Sequence, residues 1–126
     1  MSVAPPNHKF PEGRPGLSIH QTVVQVIIDV GEDMEAERQI THYFITKKIE
    51  EAREILRSLP GNGSARINER TRFWIIKSYQ IEYTLPIILS LDTIDDHIRA
   101  VQFSSRTGAE SYDGWDVNAV NKKPAT

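Results

Sequence analysis

Arg72-Phe73-Trp74-Ile75-Ile76-Lys77-Ser78-Tyr79-Gln80-Ile81-Glu82 is the stretch on which the fold turns. Its β-branched and aromatic side chains suit a pleated, half-buried surface, and no other segment carries so strong a strand signal. Residues 64–68 supply the opposing arm, so 64–82 reads as a hairpin turning around Glu69-Arg70. Just before it, Pro60-Gly61-Asn62-Gly63 ends a helix by removing a donor and allowing left-handed backbone. That helix covers roughly 47–59, with Ile49, Ala52, Leu56 and Leu59 on one apolar stripe and Glu50, Arg53, Glu54 and Arg57 on its wet flank. Thr46 is its expected cap.

Further upstream, residues 38–45 (Arg-Gln-Ile-Thr-His-Tyr-Phe-Ile) form a strand. Residues 20–30 alternate Val24, Val26, Ile28 and Val30 on one face with Gln25 and Asp29 opposite, and read as an added strand paired with 38–45. Downstream, Pro86 suits the first turn of a helix, where a missing N–H is harmless. Ile87, Leu91, Ile94, Ile98 and Val101 continue as an apolar stripe to about Arg106. A second placement starts that helix near Asp92 and leaves 84–90 as a connector. Gly108 closes the helix and residues 112–120 make the last strand.

From 38 onward the order is strand, helix, strand, strand, helix, strand. The expectation is an α+β, ferredoxin-like sandwich over about 37–120, one antiparallel sheet with two helices on one face. Residues 17–120 make a single domain with the added N-terminal strand. Residues 1–16 contain four prolines and two glycines and are expected to be a disordered arm. Residues 121–126 read the same way.

Composition narrows the function classes. Hydrophobic residues make up 39% and charged residues 25% of the 126, as in ordinary soluble domains. There is no cysteine, which removes thiol catalysis, disulfides and cysteine-based metal sites. No signal peptide and no bilayer-spanning segment is expected, and the chain reads as cytoplasmic with no membrane partner. A net charge of −2 lacks the broad positive field of a protein held on nucleic acid by phosphate contacts. The run Arg66 to Arg72 beside Phe73 and Trp74 lacks the aromatic motif of RNA-recognition sheets, so direct RNA binding is not expected.

Three stretches together resemble the ribonuclease E inhibitor family, also called regulator of ribonuclease activity B. They are Tyr112-Asp113-Gly114-Trp115 after a helix, Arg38-x-Ile40-x-His42-x-Phe44 in the strand before the first helix, and Gly31-Glu32-Asp33 upstream. The resemblance spans about 37–120. It implies a ferredoxin-like, non-enzymatic regulator that binds ribonuclease E or an associated nuclease and modulates RNA decay. The chain departs from the family in two ways. One extra residue separates Gly108 from Tyr112, and Arg66-Ile67-Asn68-Glu69-Arg70-Thr71-Arg72 is basic where family members are often acidic. An immunity protein or another protein-binding adaptor on the same fold is the alternative.

No catalytic, cofactor or metal residue is assigned. Partner-binding candidates are Tyr112, Asp113, Trp115, Arg38 and His42, since exposed aromatics anchor interfaces. Against this, Asp113-Gly114 suits a backbone turn, and Trp115, sharing a face with Val117 and Ala119, suits a lid on the core. His42 would need converging ligands to act on a metal or proton, and the sequence does not bring His20 or His97 to it. Asp95-Asp96-His97 reads as a solvated helix turn. Oligomeric state is left open.

Overall fold

Ser18 and Gln21 set where the first described helix starts. The Ser18 hydroxyl accepts from the Gln21 backbone N–H, and the Gln21 side chain accepts from the Ser18 N–H, a reciprocal capping box. It launches α1 (Ile19–Asp29) in the computed structural model, which describes residues 16–120. The expected strand at 20–30 is therefore a helix. Its β-branched residues alternate, but Val24 is buried and Ile27, three residues on, packs against the same core, a helical spacing. The cap and the docking of this face override β-propensity.

The remaining elements are β1 (Arg38–Thr46), α2 (Ile49–Ser58), β2 (Ser64–Arg72), β3 (Ile76–Ile87), α3 (Ile94–Gln102), α4 (Arg106–Ser111) and β4 (Tyr112–Val117). The architecture is α+β, with one four-stranded open sheet in the order β2-β3-β1-β4 and every neighbouring pair antiparallel. β1 is central and alternates strictly. Arg38, Ile40, His42, Phe44 and Thr46 are buried, and Leu85, Tyr83 and Ile81 of β3 lie opposite the middle three. On this face the core closes with Val24 of α1, Ala52 and Ile55 of α2, and Ile94, Ile98 and Val101 of α3. The other face shows Gln39, Thr41, Tyr43, Glu82 and Thr84, polar and partly wet.

Other boundaries move for identifiable reasons. The hairpin turns at 73–75, and not at Glu69-Arg70, which lie within β2. Its register runs from Ser64 opposite Thr84 to Arg72 opposite Ile76. β3 continues through Pro86, which pairs with Gln39. This is allowed because β2 reaches no further than Thr84, so beyond it β3 has an open side where no donor is required. The alternation of Ile81, Tyr83, Leu85 and Ile87 thus extends the strand, and the second helix begins near Asp92, the other placement considered. Gly108 does not end that helix. It is buried inside α4, where an added Cβ would lie 2.8 Å from Ser105 Oγ and 3.3 Å from the Phe44 ring. Thr46 lies ahead of α2, giving its hydroxyl hydrogen to Glu51 at 2.6 Å and accepting weakly from the Lys48 N–H. The expected arm (apart from Gly16) and tail fall outside the described residues. Among the described residues no helix is long and apolar enough to cross a membrane.

Candidate functional site

The tetrapeptide Tyr112-Asp113-Gly114-Trp115 forms a β-bulge. Phe44 pairs with Tyr112 and Tyr43 with Gly114, so Asp113 is an extra residue with no partner on β1. Gly114 has φ +134°, a conformation other residues rarely adopt. In a regular strand residues three apart point to opposite faces. The inserted residue cancels one alternation, so Tyr112 and Trp115 both face the helices while Asp113 points out to solvent. The motif is a device for re-aiming two aromatic rings.

Each ring then finds a polar partner beneath the helices. The Tyr112 hydroxyl lies 2.8 Å from His42 Nδ1, and His42 Nε2 lies 3.1 Å from His97 Nε2 on α3. Either tautomer of His42 completes this chain with all three groups neutral. Burial, and next His97, pulls the His42 pKa down to about 3. Burial also lowers His97 and raises the Tyr112 hydroxyl. The Trp115 indole N–H donates to His20 Nδ1 at 3.0 Å on α1. Burial lowers the His20 pKa, opposed by nearby Asp95. β4 is thereby tied to both α1 and α3.

Arg38 forms a second internal anchor. Its guanidinium donates to Glu32 at 2.8 Å and to the carbonyls of Asp33 and Asn118. Glu32 also accepts from the Val120 N–H, and its carboxyl sits below the ordinary range, first because of Arg38. This explains Gly31-Glu32-Asp33 physically: the segment supplies the counter-charge and carbonyl for a buried arginine. Arg38 Nε is the buried side-chain atom left without a partner among the described residues.

Beside the bulge a groove of about 620 Å³ runs along β4, whose other edge pairs with no strand among the described residues. Ile19, Val23 and Ile27 of α1 with Trp115 and Val117 make it apolar, and Asp113 and Asp116 put carboxylates at it. Tyr43 closes the far side and donates to Asp116 at 2.8 Å. Burial and that contact push its hydroxyl pKa up to about 12.

Of the five candidates, Asp113 is exposed and Trp115 and Tyr112 are half-buried, while Arg38 and His42 lie inside at 1% and 0% exposure. Those two lie in the interior of the fold. Trp115 closes the core edge and lines the groove at once. The residues missed by sequence reasoning are His20 and His97, together with the apolar side of α1. Ser18-x-x-Gln21 was the available signal, because a helix there brings His20 to Trp115. Asp95-Asp96-His97 is also more than a solvated turn, since Asp95 accepts from Ser18 at 2.7 Å and His97 meets His42. No cluster of three or more metal-binding side chains occurs among the described residues.

No protein-family model matches the chain, and no curated protein matches it.

Proposed function

We propose that the protein is a regulator acting by protein–protein contact, binding an endoribonuclease or its scaffold and so modulating RNA decay. The observation that carries the binding role is the bulge at Tyr112-Asp113-Gly114-Trp115, which forms one wall of an apolar, acid-edged groove on an unpaired strand edge. The resemblance to ribonuclease E inhibitors supplies the class of partner. The strand order β2-β3-β1-β4, with each helical crossover spanning one intervening antiparallel strand, supports a ferredoxin-like reading of the sheet. The shape and charge of the groove suit an extended partner segment that carries apolar side chains beside an arginine or lysine. The backbone of such a segment pairs with β4, its apolar side chains rest on Val23, Ile27 and Trp115, and its cation meets Asp113 and Asp116. Regulation is then occlusion, with no turnover by this chain.

The test is a cleavage assay with a purified endoribonuclease that initiates messenger RNA decay, together with direct binding. Wild type is expected to bind and slow cleavage, and Val23→Arg to weaken binding at least tenfold while remaining folded. A wild-type protein that neither binds nor slows the nuclease defeats the nuclease reading. Undiminished binding by Val23→Arg defeats the groove as the contact surface.

A further inference from the structure

The β2–β3 hairpin ends in four consecutive apolar residues that are exposed among the described residues. Phe73, Trp74, Ile75 and Ile76 are 75%, 88%, 77% and 52% exposed. Phe73 and Trp74 both have φ +54°, and the Ile75 N–H reaches the Arg72 carbonyl at 3.3 Å, the geometry of a type I′ turn. Such turns favour Asn and Gly, which tolerate left-handed backbone, while bulky residues there are strained. Two large aromatics in those positions serve neither the turn nor the core. Immediately behind them stand Arg70, Arg72 and Lys77, with Arg66 further back. On the hairpin, Glu69 faces Lys77 at 3.9 Å, and Arg66 is paired with Glu82. The Arg70 guanidinium donates to neutral Gln80, and Arg72 pairs with no carboxylate among the described residues.

We propose that this hairpin docks the protein on an anionic phospholipid surface. The tip places four exposed apolar side chains at the end of a two-stranded hairpin, an arrangement that a fluid acyl layer can enclose. The order of chemistry along the hairpin is that of a membrane interface: apolar side chains outermost, an indole among them, and cations one step behind at headgroup depth. This is a surface contact and not a span, and it adds a membrane partner that composition alone did not suggest. In the sheet β2 is the edge strand opposite β4, so the groove beside β4 is left free.

The experiment uses the full chain with vesicles of phosphatidylcholine containing phosphatidylglycerol, and with phosphatidylcholine alone. Cosedimentation is expected with the anionic vesicles and is expected to weaken as salt is raised. The chain has two tryptophans, so emission assigns the contact. A blue shift should persist in Trp115→Phe and vanish in Trp74→Phe. Phe73→Ser with Trp74→Ser should lower partitioning at least tenfold, and Arg72→Gln about fivefold, with circular dichroism unchanged. The proposal is overturned if folded wild type stays in the supernatant, or if it binds equally with and without phosphatidylglycerol. It is also overturned if the serine variant binds as well as wild type. A Trp74 shift produced by RNA, or by raising protein concentration without vesicles, in place of one produced by lipid would assign the tip to that partner instead.

Discussion

Trp115 lies half-buried on β4 with its indole N–H donated to His20, whereas Trp74 stands at a hairpin tip, almost fully exposed on left-handed backbone. Around Trp115 the unusual backbone, the bulge and Gly114, brings rings and polar groups into mutual satisfaction. Around Trp74 the unusual backbone presents side chains that are exposed among the described residues. Aromatic content alone therefore does not locate a functional surface. What separates the two regions is whether local strain is answered by interior contacts. The first region should respond to mutation chiefly in stability, and the second chiefly in binding.

The sharpest contrast comes from Arg38. Arg38→Ala empties the space of a fully buried side chain and leaves the carbonyls of Asp33 and Asn118 without their donor, and should cost about 3 kcal/mol in urea denaturation. Arg38→Met, which restores packing and lets partly exposed Glu32 hydrate, should recover a good part of that loss. Trp74→Ala should stay within about 0.5 kcal/mol of wild type. A negligible effect of Arg38→Ala would dissolve the distinction between the two regions.

The histidine chain offers a pH test of the same interior. Folded His42 stays neutral down to about pH 3, while the unfolded chain takes up a proton near its ordinary value of 6.5. In that window the unfolded state binds more protons, so stability is complete above about 6.5 and falls as pH falls. The slope is up to about 1.4 kcal/mol per pH unit for this residue. His97 and His20, also lowered, steepen its upper part. Between about pH 7 and about pH 5 the loss should reach about 2 kcal/mol. His42→Gln should flatten the profile. A wild-type profile without slope would contradict the buried placement of His42.

At Gly114 an added side chain meets no atom within 4 Å, so only the positive φ resists substitution. Gly114→Ala should cost about 1–3 kcal/mol and loosen the bulge. Loss of the His42–Tyr112 hydrogen bond, read from the imidazole resonances, would show that the bulge is what aims the ring. A stable variant with an intact hydrogen bond would mean that the register holds without glycine.

How much of this was legible beforehand follows from which forces were local. β1 and α2 showed in the sequence because their periodicities are unambiguous, and so did the β4 motif as a place where aspartate and glycine bend the backbone. The α1 segment was misread because alternating β-branched residues imitate a strand, and the capping box that decides the matter occupies only Ser18 and Gln21. The hairpin turn was misplaced because Phe73-Trp74 carries no turn chemistry, while Glu69-Arg70 is polar. His97 and His20 were invisible as site residues, since their partners lie 55 and 95 positions away and only the packing of α3 and α1 on the sheet joins them. Arg38 and His42 stand in the sequence as partner-binding candidates, and their place in the interior depends on helices that a strand pattern does not report.

The smallest expected effect has the opposite sign and separates the regions most cleanly. Replacing Phe73→Asn and Trp74→Gly gives the type I′ turn the residues it favours, removing left-handed strain of about 1 kcal/mol per site. No core contact is lost, because both rings stand in solvent. The double variant should gain about 1 kcal/mol or more in unfolding free energy by urea denaturation while losing its vesicle partitioning. At β4 no comparable exchange exists, since substitution there loosens the bulge that aims Tyr112 and Trp115. A double variant that is destabilised would mean the tip aromatics contribute to folding, and the contrast between the two tryptophans would fail at its simplest point. A gain in stability together with loss of lipid binding is the signature of a turn held away from its own optimum for the surface it meets.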